Sequence, residues 1–507
     1  MILCAVYSLV LLFFLSPDSY LRDLFVRYDS SIFFECGKAW MNGMIPYVDF
    51  TDSKGPLLWL IYGIGYLISH HSYVGVFWIS VCFYTVTLFI AYRLCRLYLD
   101  EKPSAVATAA LPFFLFLFVY HFEVRAEDFC YTFIMLSLYS LCRILKSWRT
   151  LDAKHFFLLS FAMGISCASC FMIKWNIAVM MLTLMAVALL YSIRGKCFLR
   201  SLSGMAVGFV LISAPFSLYL LSCGALDDFI YEFFINTSSM QGVDKAKFSV
   251  ALILYTCFCT NMKVSALFVV FLCGLLCFPW KMGKKYWWLI ACFTAFWIAS
   301  RGVHIGGSYY QASAAPFLIF AIIPVVEILF SKQPRALRYT PALCVVAAVI
   351  SITVNVISVN GNFARAMGQR QSYYRACYIM AQIDKPKIFP YMVGNRAGVA
   401  VGSLPACKYW VIQLGITDEM MAEREKALTN GIADFVIVDT LGDEKKHKGK
   451  VERVEAAGYV CYGTFEMGSW IKNYTYKLYG RPGLKPAPDD FYVSDWDVWL
   501  KRNIFGI

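Results

Sequence analysis

Long apolar runs separated by short polar loops fill most of this chain, and the loops alternate in charge. Runs of span length fall at 1–15, 73–92, 104–120, 128–145, 156–173, 176–193, 203–223, 263–280, 286–300, 312–330 and 340–358, which predicts about eleven transmembrane helices. The run at 56–69 is apolar but short, and Pro56 suits a first helical residue, so it reads as an interfacial or re-entrant helix. With it set aside, one side receives Arg93, Arg96 and Lys102; Arg143, Lys146, Arg149 and Lys154; Arg194, Lys196 and Arg200; Lys281, Lys284 and Lys285; and Lys332, Arg335 and Arg338. The other side receives the acid-bearing 17–55 loop, 123–128, Asp227, Asp228 and Glu232. Counting 56–69 as a span would put the basic loops outside, against the positive-inside rule. The 17–55 loop and everything after the last span are therefore expected outside the cytoplasm.

From about residue 360 the pattern changes to strand-length apolar runs at 387–393, 435–439, 459–464 and 474–479. Helix-like stretches at 419–430 and 450–457 lie between them, with Gly431 and Gly458 placed as C-caps. The expected architecture is a polytopic α-helical membrane protein with outer juxtamembrane helices and a small C-terminal soluble α/β domain. Its expected domains are 1–360, with 17–55 as the catalytic outer loop, and 361–507.

Composition agrees with a membrane chain: 59% of the residues are hydrophobic, 16% are charged, and mean hydropathy is +0.59. The net charge of +13 would suggest a nucleic-acid partner. Its placement in short loops between spans accounts for it instead, and no nucleic-acid partner is expected. The 19 cysteines lie mostly within spans as small apolar residues, and Cys167 and Cys170 form an isolated pair in a hydrophobic run. Gly204 and Gly208 have helix-packing spacing.

Chemistry must come from polar groups on the outer side. The longest polar interruption in the first half, 28–58, holds Asp29, Asp49, Asp52 and Lys54 among aromatics. Charge kept beside hydrocarbon points to function; a solvated loop is the alternative. Asp29 opens a helix-like stretch over 30–42 ended by Gly43, with Ile32, Phe33, Gly37, Trp40 and Met41 on an apolar face for the membrane surface. An N-cap role for Asp29 stays open. Further outer groups are Glu123, Arg125, Glu127 and Asp128; Lys174, which could also be a snorkelling lysine; Asp227 and Asp228, which also suit a solvated loop; and Arg301, His304, Tyr309 and Tyr310. Carboxylates beside cations suit a reaction in which an acceptor hydroxyl loses a proton and a phosphate leaves. No cofactor is indicated; a divalent metal would suit the acids, but no ligand spacing marks one.

Asp29 in the first outer loop, the turn Gly43-x-Ile45-Pro46-Tyr47, Asp52-x-Lys54-Gly55-Pro56 before a short apolar helix, and Glu127-Asp128 before the next span resemble the GT-C glycosyltransferases. These are polytopic enzymes that use polyprenyl-phosphate sugars, and they include protein O-mannosyltransferases and lipid A aminoarabinose transferases. Gly306-Gly307-x-Tyr309-Tyr310 followed by Pro316 is similar to a later motif of that family. Two departures are Ser30, where many members have a second acid, and Gln311, where a histidine is common. The resemblance implies an inverting transfer from a polyprenyl-phosphate sugar, within the lipid bilayer, to a glycan, lipid or protein acceptor. It is expected on the extracytoplasmic face of a bacterial inner membrane. It implies Asp29 as base with Glu127 and Asp128 as further acids, and Lys54, Arg125, Lys174 and Arg301 on the donor phosphate. Asp52, Tyr47, His304, Tyr309 and Tyr310 become substrate contacts. The alternative is a lipid-linked glycan flippase without transferase chemistry, which would place its charges near mid-bilayer rather than at one face.

Overall fold

The structure is a computed structural model that describes residues 1–16, 19, 28–118, 125–237, 265–303, 308–367, 370–391, 396–411, 417–439, 444–468 and 473–491. Seven helices among these residues are long and apolar enough to cross a membrane. They are Val74–Cys95, Ala126–Ser147, Ala153–Ile173, Trp175–Arg194, Phe198–Ser222, Ser313–Lys332 and Arg335–Thr353. The other four expected spans are helical as well: Ile2–Leu15, Glu101–Phe118, Ser265–Met282 and Trp287–Val303. They fall outside that set of seven, which is drawn by length and composition among the described residues. The helix Pro56–Ile68, at 13 residues, reaches only about 20 Å, too short for a hydrocarbon core of about 30 Å.

The chain divides into two compact units. The first comprises Met1–Leu15, Ser80–Ser217 and Val243–Ser358; the second comprises Ser16–Ile79, Leu218–Gly242 and Val359–Ile507. In the first unit, α6 (Ala126–Ser147), α7 (Ala153–Ile173) and α8 (Trp175–Arg194) pack on one another. The small residues Gly204 and Gly208 let α9 (Phe198–Ser222) press against α7: a Cβ at Gly204 would lie 2.5 Å from the Phe157 carbonyl oxygen, and one at Gly208 would collide with the Phe161 carbonyl. This is the close backbone approach that the glycine spacing predicts.

The second unit joins the polar 28–58 stretch to the C-terminal region. Its helices α2 (Tyr28–Met41) and α3 (Pro56–Ile68) pack closely, since a Cβ at Gly37 would lie 2.5 Å from the Gly63 nitrogen. A left-handed glycine ends α2: Gly43 has φ +88°, its N–H donates to Trp40 O at 3.0 Å, and the Met44 N–H donates to Ala39 O at 3.1 Å. This is a Schellman cap. The C-terminal sheet has the order β2-β1-β3-β5-β4, from β1 (Lys387–Pro390), β2 (Leu404–Pro405), β3 (Phe435–Asp439), β4 (Val460–Gly468) and β5 (Asn473–Gly480). The first three are parallel, and β5 runs antiparallel to both neighbours. Alternation along β3 sends Phe435 and Ile437 to one core and Val436 and Val438 to the other. The helix Arg370–Met380 covers the first core through Ile379 and Met380. The helices Asp418–Thr429 and Glu444–Ala456 cover the second through Leu428 and Val454.

Candidate active site

In the second unit the site is built on the turn between α2 and α3. Tyr47 takes φ +68°, unusual for an aromatic residue. Its N–H donates to Phe50 O at 2.8 Å, and its ring lies 4.7 Å from Trp59 and 5.1 Å from Phe229. Its hydroxyl donates to Lys54 O at 3.0 Å, and the side chain is wholly buried. Asp49 accepts the Ile45 N–H at 2.6 Å. Tyr47 and Asp49 therefore hold the turn, with the Tyr47 side chain enclosed in it.

The turn delivers Asp52 and Lys54. Asp52 is buried, and the Lys54 ammonium donates to Ser53 Oγ at 2.8 Å and lies 5.5 Å from the Phe33 ring centre. Burial pushes the Asp52 carboxyl up; the Lys54 charge pulls it back, and Asp29 pushes it up again. Those influences put Asp29 and Lys54 each within electrostatic reach of Asp52. Asp29 sits in the first turn of α2, half-buried, while Asp52 is enclosed. An acceptor can thus reach Asp29 more readily than Asp52. Burial together with the Asp52 and Glu35 charges pushes the Cys36 thiol well up, so it is no nucleophile.

The same unit contains polar groups that the sequence reading passed over. Glu35 and Lys38 form a salt bridge of 2.7 Å with 3% and 0% of their side chains exposed. Burial raises the Glu35 carboxyl and lowers the Lys38 ammonium, and each charge opposes the other's shift. Ser30 through Ala39 are all enclosed, so α2 is not the surface helix with one apolar face that the sequence predicts. Opposite charges three residues apart in an otherwise apolar helix were the available signal. A second network surrounds Glu232, which lies in a π-helical turn, Tyr231–Asn236. Glu232 accepts from the Tyr409 hydroxyl at 2.6 Å and the Asn236 amide at 2.8 Å, and Lys408 reaches Asp228 at 2.7 Å. Asp228 is thus paired, whereas Asp227 is exposed.

In the first unit, Glu127 occupies the first turn of α6, and Lys174 is the single extended residue between α7 and α8. The two are ion-paired and buried. Asp128 accepts the Arg125 N–H at 3.0 Å, closing the start of α6. The Lys174 charge therefore already has a carboxylate, and one Asp128 oxygen serves its own helix. Arg125 is half-buried. Arg301, Tyr309 and Tyr310 lie on described backbone, but their side chains, like all of Glu123 and His304, lie outside the described residues. Among the described residues no three His, Cys, Asp or Glu side chains converge to hold a metal ion.

Residues 53–219 match the family model described as dolichyl-phosphate-mannose-protein mannosyltransferase. That segment includes Lys54, Arg125, Glu127, Asp128 and Lys174 and begins after Asp29. The fold is similar to the crystal structure of ArnT from Cupriavidus metallidurans bound to undecaprenyl phosphate: TM-score 0.62, 11% identity, covering 94% of this chain and 96% of that one. ArnT in the apo state gives 0.61 at 11% identity, covering 94% and 97%. The archaeal oligosaccharyltransferase AglB from Archaeoglobus fulgidus, in complex with an inhibitory peptide and a dolichol-phosphate, gives 0.46 at 12%, covering 98% and 76%. No curated protein matches the sequence. The likeness to ArnT is one of fold, and with the family match it agrees with the resemblance to the GT-C glycosyltransferases.

Proposed function

We propose that this chain, which has the GT-C glycosyltransferase fold, is an integral-membrane inverting transferase. It moves a sugar from a polyprenyl-phosphate donor to a glycan, lipid or protein acceptor on the extracytoplasmic face. The observation that carries this reading is the cluster of Asp29, Asp52 and Lys54. A reachable carboxylate at the start of α2 lies within electrostatic reach of a buried carboxylate, which shares the braced turn with an ammonium. The donor class is taken from ArnT, which shares the fold and is bound to undecaprenyl phosphate in its crystal structure. The sidedness rests on the basic loops, which suit the cytoplasmic face.

In the proposed reaction an acceptor hydroxyl gives its proton to Asp29 as its oxygen attacks the anomeric carbon. The bond from that carbon to the phosphate oxygen breaks, and polyprenyl phosphate leaves with the electron pair. A single displacement inverts the anomeric centre. The leaving phosphate gains negative charge, and Lys54 is the residue proposed to meet it; in a water-poor site one such contact is worth about 3–4 kcal/mol. Arg125 and Arg301 are retained as donor-phosphate candidates, and His304, Tyr309 and Tyr310 as substrate contacts. Lys174 and Glu127 are assigned to each other, and Asp128 to the start of α6.

The test is incubation of the purified protein with polyprenyl-phosphate sugars and an envelope extract. Acceptor-dependent release of free polyprenyl phosphate is the expected result. Movement of an intact lipid-linked sugar across proteoliposomes, with no release, would replace this reading with a transporter.

A further inference from the structure

Nothing in the proposed chemistry uses the Glu35–Lys38 pair, yet it lies on the helix that carries Asp29. Both charges are enclosed, and their other partners come from the far end of the chain. Ser403 Oγ donates to Glu35 Oε1 at 3.0 Å, and Lys38 Nζ donates to Gly398 O at 3.4 Å. Residues 398–403, the end of the short helix Arg396–Val401 and the turn after it, close on themselves through the Ser403 N–H and Gly398 O at 2.9 Å. A third tether joins His71 Nδ1 and Ala400 O at 2.9 Å. The fit is tight, because a Cβ at Gly398 would lie 2.9 Å from Glu35 Oε1 and closer still to Ser403 Oγ.

Stability alone is a poor reason to bury two charges here. Apolar side chains of similar volume in place of a buried ion pair are commonly neutral or stabilising. An apolar pair, however, could not draw the Ser403 hydroxyl and the Gly398 carbonyl to fixed points on α2. What the charged pair adds is register: the rotation and axial position of α2 against the C-terminal turn.

We propose that Glu35 and Lys38 are positioning residues, an internal clamp by which the C-terminal 398–403 turn sets the register of α2 and so the placement of Asp29 beside Asp52 and Lys54. This rests on Asp29 being the base. The clamp makes the C-terminal region part of the catalytic device, although none of its described residues is assigned to the reacting atoms. Misplacement by about 1 Å of a group that must meet its substrate can cost roughly 100-fold in rate.

The experiment replaces the pair with apolar residues in the full-length protein, as the double variant Glu35→Leu/Lys38→Met. The expected result is a retained melting temperature, a donor KM within about threefold of the parent, and a kcat lowered about 10- to 100-fold. Ser403→Ala approaches the clamp from its other side and should give a smaller loss, again in kcat alone. Hydrogen exchange over residues 28–41 should quicken in both variants. If the double variant fails to fold, Ser403→Ala carries the test. Unchanged kcat and unchanged exchange in a folded variant overturn the clamp. Quickened exchange in a background where Asp29→Asn still transfers sugar upholds the clamp and removes the base assignment on which its catalytic role depends.

Discussion

Lys174 and Glu127 are ion partners, 47 residues apart in sequence, joining the start of α6 to the junction between α7 and α8. Read along the sequence, the two stand in separate loops and invite separate roles, one on phosphate and one as an acid. Brought together and buried, they satisfy each other. Removing either partner leaves an uncompensated charge, so Lys174→Met and Glu127→Gln should each destabilise the protein by about 3–5 kcal/mol. The double variant should recover most of that loss. Denaturation of the purified proteins in detergent measures all three. Selective loss of donor binding by Lys174→Met at unchanged stability would return Lys174 to the phosphate.

Asp52 has a pH signature. Its folded carboxyl is held above the ordinary 3.8, so the folded state keeps a proton that the unfolded chain has already released. Stability attributable to Asp52 is therefore greatest at low pH and falls as pH rises through that window, then levels off. Asp52→Asn removes this slope. The stability of Asp52→Asn relative to the parent should grow as pH is raised from about 4 and then become constant. A relative stability that shrinks with rising pH would mean that Lys54 outweighs burial at this carboxyl.

The parts of the fold set by neighbours in sequence were legible. Gly43, Gly431 and Gly458 were placed as helix ends, and all three have positive φ, at +88°, +61° and +87°. Phe435–Asp439 was read with the observed bounds because its apolar run stops at polar residues. The two-residue strand Leu404–Pro405 was not legible, since pairing with β1 is what makes it a strand. The candidate site divides the same way. Asp29, Asp52 and Lys54 lie within 26 residues of one another in sequence, in one polar stretch, and were singled out together. Glu35 and Lys38 were missed because the groups that make their burial tolerable, Ser403 and Gly398, lie about 360 residues downstream. The enclosure of Tyr47 was not legible, because Trp59 and Phe229, which pack on it, give no sign of doing so in sequence.

Lys54 should govern donor and turnover together. Its ammonium is held near Asp52 through Ser53, and Lys54→Met removes the charge while keeping much of the stem. Loss of one such contact predicts a fall of about 10²–10³-fold in kcat/KM, with weaker binding of a polyprenyl-phosphate analogue. Steady-state kinetics and equilibrium binding check both. Normal binding and turnover by Lys54→Met would pass the phosphate role to Arg125 or Arg301.

The central claim is that Asp29 is the base, and Asp29→Asn tests it most directly. Asp29 lies in the first turn of α2, where an aspartate could also serve only to stabilise a helix start through its charge, and losing that charge costs only about 0.3–1 kcal/mol. Asn keeps the shape but cannot take the acceptor's proton. The measurement is sugar transfer from a polyprenyl-phosphate donor by purified Asp29→Asn, with donor binding and melting temperature measured alongside. The account predicts near-normal binding and stability with transfer reduced about 10²–10⁴-fold. Transfer within a few-fold of the parent would contradict it, and Asp29 would then be a helix-start residue only.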